Sequence, residues 1–130
     1  MTPPLPELRE ALLNLHKALV ESERVSYEQT MGTIPSANHF LQLLTTDPWF
    51  AWLHPLSLLI VALDEAQDAK EPMTPAAAEA LVKQIRLLLV ASETGEGFSK
   101  HYDDALQRDP AVVMAHAGVA KLLGRKKSEP

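Results

Sequence analysis

Asp47 to Ala66 reads DPWFAWLHPLSLLIVALDEA, the stretch that holds both tryptophans and the longest apolar run of the chain. Asp47 followed by Pro48 is a helix start: the aspartate caps, and proline in the first helical position gives up an N–H that has no partner there anyway. Seven residues on, Pro55 removes a backbone bond and disfavours helical geometry at His54. The proline therefore either kinks the helix or splits it into a short aromatic turn and a longer segment. From Leu56 to Leu63 the residues are apolar almost all round, Ser57 excepted. Such a helix is buried on more than one side, which predicts a central helix over about 56–69. The run Pro48 to Leu63 is 16 residues long and carries His54, Pro55 and Ser57. A membrane span needs about 20 mostly apolar residues, so none is expected.

Outward from this stretch the same punctuation recurs. Leu5, Leu8, Leu12, Leu15 and Leu19 repeat at spacings of three and four, one stripe of a helix that runs to about Met31 and stops at Gly32. Ser36 opens a short helix through His39, Phe40, Leu43 and Leu44 to about Thr45. Thr74-Pro75 opens another to about Ala91, and Asp109-Pro110 a last one to about Leu123, with Gly124 beyond. Ser92 to Gly97, SETGEG, is a polar loop, followed by a helix over about Phe98 to Arg108. No period-two alternation and no Asn-Gly or Asp-Gly hairpin pair is present. The expected fold is all-α: a helical bundle of four longer helices plus one or two short ones, forming a single domain over residues 1–124 with a basic polar tail over 125–130.

The 130 residues suit one core. Hydrophobic residues make up 46% and charged ones 22%, as in ordinary globular proteins. Seventeen acidic against 12 basic residues give a net charge of -5, which disfavours nucleic-acid binding, since phosphate affinity is built from clustered Lys and Arg. The one basic cluster is Arg125, Lys126 and Lys127. With no cysteine there are no disulfides, no thiolate catalysis and no thiolate metal site. The start, MTPPLPELRE, lacks the charged and apolar regions of a secretory signal, so a cytoplasmic location is the expectation.

Chemistry is harder to find. The histidines are His16, His39, His54, His101 and His116, but no Glu precedes a His by three and no two His stand four apart, the spacings that place two ligands on one helix face. No metal or cofactor is expected; if a metal bound, His16, His54 and His116 are the candidate ligands. Asp64 and Asp68 share a face near the end of the central helix, where they oppose its dipole. Ser57 follows His54 by three residues without a G-x-S-x-G turn, and a helical serine in an apolar run is expected to bond back to a carbonyl one turn earlier. Gly95 and Gly97 give only G-x-G, short of a phosphate loop. In the aromatic cluster, Trp49, Phe50 and Trp52 cannot all point one way on a helix. The expected packing has Trp49 and Trp52 on the core and Phe50 covering the adjacent short helix, the alternative being an outward ring that serves an interface.

Two resemblances are present. YDDALQRDP followed by AVVMAHAGVAKLLG resembles the junction between consecutive tetratricopeptide repeats, but no second copy lies at an offset of about 34 residues, so no repeat array is expected. DPWFAWLHPLSLLIVALDEA with the upstream LHKALVESERVSYEQ resembles an uncharacterised group of small bacterial all-helical proteins that share a DPWF-x-WL-x-PLS core. That resemblance carries no activity, and implies a complete bacterial protein. Two functions from different classes follow. One is a non-enzymatic bundle that docks a protein partner or itself as a homodimer, with Trp49, Phe50, Trp52, His54 and Asp64 as candidate binding residues. The other is a small-molecule or metal-binding bundle that uses His16, His54 and Asp64 around a central pocket.

Overall fold

The computed structural model describes residues 3–90 and 97–124. Six α-helices account for most of them, with no strand among the described residues: α1 Leu5–Met31, α2 Ala37–Thr46, α3 His54–Asp68, α4 Pro75–Leu88, α5 Phe98–Arg108 and α6 Pro110–Gly124. A 3-10 helix, Pro48–Leu53, joins α2 to α3. The fold is all-α, with α1, α3, α4 and α6 the longer helices and α2 and α5 the short ones. None of the helices of the described residues is long and apolar enough to cross a membrane. The expected basic tail and most of the SETGEG loop lie outside the described residues, and α4 ends at Leu88 rather than at Ala91.

Local chemistry sets the boundaries. The side chains of Ser36, Asp47 and Thr74 each accept a backbone N–H of the turn that follows, from His39 at 3.1 Å, Trp49 at 2.8 Å and Ala77 at 3.1 Å. Asp109 does the same for Ala111 at 2.9 Å. These bonds satisfy donors that the start of a helix otherwise leaves open. Gly32, at φ 98°, ends α1 and donates its N–H to the Glu28 carbonyl at 3.0 Å. A side chain at that φ would be strained, which is why the stop falls on glycine.

The core is built on α1. Its stripe Leu8, Leu12, Leu15 and Leu19 is fully buried and meets Phe50, Leu53, Leu56, Ile60 and Leu63, with Val82 and Ile85 from α4, Tyr102 and Ala105 from α5, and Val112 and Val119 from α6. α1 packs against α3, α5, α6 and the 3-10 helix, and so takes the hub position. α3 lies against α1, α4 and the 3-10 helix but is less enclosed than its composition suggests, because Leu58 and Val61 remain 55% and 48% exposed. Its buried positions are Leu56, Ile60 and Leu63, an ordinary one-sided helical stripe.

Candidate functional site

The 3-10 helix reorders the aromatic cluster. At three residues per turn, side chains three apart line up. Phe50 and Leu53 therefore share one line, which continues into Leu56 of α3 and enters the core. Trp49 and Trp52 share the next line and are only partly buried. Both tryptophans pack against the core as expected, but Phe50, at 1% exposed, lies deeper than either and is itself a core residue. It also meets Phe40 of α2 edge-on at 5.7 Å, which keeps the expected contact with the short helix. Its other neighbour is Tyr27 at 5.5 Å.

Each tryptophan has its own partners. The Trp49 indole stands edge-on to Tyr27 at 5.4 Å and donates its Nε1–H to Glu23 Oε2 at 2.9 Å. Glu23 is 6% exposed, and its other oxygen faces Nη2 of Arg108 at 3.4 Å; Arg108 also donates to Ser22 Oγ, from Nη2 at 3.0 Å and from Nε at 3.1 Å. This polar network ties the aromatic turn and the end of α5 to α1. Trp52 stacks on His101 with ring centres 5.2 Å apart and lies at the same distance from Phe98.

Between α1, the end of α2, the 3-10 helix and the start of α3 lies a cleft of about 710 Å³. Val20, Leu44, Phe50, Ala51 and Leu53 supply its apolar lining, and Thr45, Thr46, Asp47, His16, Ser57 and His54 its polar groups. His16 reaches across from α1 to α3, with Nε2 2.9 Å from Ser57 Oγ. The expected bond from Ser57 back to its own helix is thus replaced by a bond between helices. Burial holds the His16 imidazole below the ordinary histidine pKa, so the ring is neutral at pH 7. His54, the first residue of α3, is exposed and stands on the same cleft.

The other candidates are placed elsewhere. Asp64 pairs with Arg9 of α1 on a partly exposed surface and does not line the cleft. His116 Nδ1 is hydrogen-bonded to the buried Tyr102 hydroxyl, and the ring lines a separate pocket with Arg86. The proposed trio of His16, His54 and His116 therefore does not converge on one cavity. Among the described residues no group of three or more His, Asp or Glu could hold a metal ion. Comparisons of the chain with protein-family models, with curated proteins and with solved structures find no match.

His16 and Ser57 have the spacing of a base and a nucleophile, but the rest of a hydrolytic site is not assembled among the described residues. Among the described residues the one side-chain hydrogen bond of His16 is to Ser57, with no carboxylate behind the ring. The His54 N–H is committed to the Ala51 carbonyl and Pro55 has none, so neither of these two supplies a donor for an oxyanion. The pairing of His16 with Ser57 was not visible in sequence, because 41 residues separate them and neither follows a motif. The Glu23 network left a trace that sequence reading passed over: Ser22 and Glu23 continue the Leu8 to Leu19 stripe by three and four residues, which places polar groups at buried positions.

Proposed function

We propose that the protein is a binding module whose ligand, a small organic molecule with an apolar body and a hydrogen-bonding head, occupies the His16 cleft. The observation that carries this reading is the coincidence of size and chemistry: about 710 Å³ of mostly apolar wall around a polar pair, His16 and Ser57, with His54 beside it. Ligand sites of small proteins have this volume and this sparse placement of polar groups. A neutral imidazole and a hydroxyl can each donate or accept, so the pair suits an uncharged amide, alcohol or carbonyl head better than an ion.

The test is a thermal-shift screen of neutral aromatic and aliphatic amides and alcohols, followed by titration of the hits against wild type and Ser57→Ala. A ligand that binds only the folded state raises Tm. The expected result is hits whose affinity falls roughly tenfold or more in Ser57→Ala, the loss of one hydrogen bond to a buried head. Hits that bind Ser57→Ala equally well, or no hits at all, reject the cleft as the site.

A second reading, docking of a protein partner or of a second copy, rests on α3. Leu58 and Val61 are exposed on the stripe that also carries His54 and Glu65. Large aliphatic residues side by side on a solvent-facing helix are a docking feature. Sedimentation velocity over a range of concentrations is expected to show a dimer for wild type and a monomer for Leu58→Glu. A wild-type chain that stays monomeric throughout removes self-association.

A further inference from the structure

A second pocket, of about 240 Å³, lies between the end of α4 and α6 and is lined by Arg86, Leu89, His116, Val119, Ala120, Leu123 and Gly124. Arg86 is half-buried here and donates through Nη2 to the Leu123 carbonyl at 2.7 Å, closing the end of α6. Its Nε is buried without a hydrogen-bond partner. Arg9, Arg24 and Arg108 each face a carboxylate, whereas no carboxylate among the described residues meets Arg86. That Nε is enclosed by the protein, so what Arg86 offers a pocket ligand is its positive charge and its terminal N–H groups.

His116 points to the same chemistry. Burial pushes the Tyr102 phenol well above its ordinary pKa, so its hydroxyl keeps its proton and is able to donate to Nδ1 of His116. A neutral imidazole that accepts at Nδ1 carries its hydrogen at Nε2. Nε2 has no partner among the described residues. The pocket is therefore bordered by a guanidinium and an imidazole, one of them positively charged, and among the described residues no acidic side chain lines it.

We propose that Arg86 and His116 form a binding site for a small monocarboxylate with an apolar tail, distinct from the His16 cleft. The carboxylate pairs with the terminal N–H groups of the Arg86 guanidinium and with Nε2–H of His116, and the tail lies against Leu89, Val119 and Leu123. Arginine suits this role because its planar fork matches a carboxylate. One guanidinium balances one negative charge. A phosphate dianion would bring a second charge, without a counter-charge, into a mostly aliphatic pocket, and so is disfavoured.

The experiment is titration of the full chain with hexanoate, followed by amide chemical shifts, with n-hexanol and inorganic phosphate as controls. Hexanoate is expected to shift His116, Val119 and Leu123 and to leave Ser57 unmoved. Arg86→Gln is expected to weaken it by roughly tenfold to a hundredfold, the worth of a charged hydrogen bond. Because Arg86 also closes α6, Ala120→Phe provides a second check: Ala120 is exposed at the pocket, so the ring blocks the space without entering the core. Loss of binding in a folded Ala120→Phe supports the site. Hexanol binding as well as hexanoate, a preference for phosphate, undiminished binding in a folded Arg86→Gln, or no shift at these residues overturns the proposal.

Discussion

Glu23 shows how much one buried polar residue can hold. It accepts from the Trp49 indole and faces Arg108, so a residue of α1 anchors both the aromatic turn and the end of α5. Glu23→Ala leaves the Trp49 N–H without its acceptor in a partly buried site and opens space beside it. The expected cost is about 1–3 kcal/mol, read from urea unfolding followed by tryptophan fluorescence. Glu21, two positions earlier, offers the contrast. It is exposed and, among the described residues, pairs only with Arg24 one turn along the same helix. Exposed pairs contribute little, so Glu21→Ala should stay within about 0.5 kcal/mol of wild type in the same assay.

At the scale of elements, the helix starts were legible because each is written in two or three neighbouring residues. Asp47-Pro48, Thr74-Pro75 and Ser36 announce their caps locally, and the side chains make the bonds those pairs imply. The stripe of α1 was legible for a related reason, since a period of 3.6 residues needs nothing beyond the helix itself. The aromatic turn was misread in its details because a 3-10 helix rotates each residue by about 120° rather than 100°. That difference sends Phe50 into the core and leaves the tryptophans packed against its edge. The enclosure of α3 was overestimated for another reason: apolar composition all round a helix does not say which neighbours are long enough to cover it. Leu58 and Val61 are left uncovered. The candidate sites were the least legible part. His16 and His54 were named, yet what makes the cleft is Ser57 across from His16, and what makes the second pocket is Arg86, which no motif marks.

At the scale of the whole molecule, two histidines make stability depend on pH. His16 links α1 to α3 and His116 links α6 to α5, and burial lowers the pKa of each. A histidine with a lowered folded pKa takes up its proton more readily in the unfolded chain. Its contribution is therefore complete above the unfolded value of about 6.5 and declines as the pH falls from there toward the folded value. The urea midpoint is expected to drop between pH 7.5 and pH 5.5, a window that lies above the usual carboxylate range, and to drop less in the double variant His16→Gln, His116→Gln. An equal drop in both would place the dependence on other groups.

The hub position of α1 has a consequence for how the protein is made. Its closest companion is α6, so the first and last helices of the described chain pack side by side. A ribosome releases α1 before α6, while Val112, Val119 and Leu122, which cover part of its leucine stripe, are still to be translated. Contacts so far apart along the chain form only after a long loop has closed. The nascent chain thus carries Leu8, Leu12, Leu15 and Leu19 with an incomplete cover until α6 emerges, which makes this stripe a surface for a chaperone to hold in the meantime.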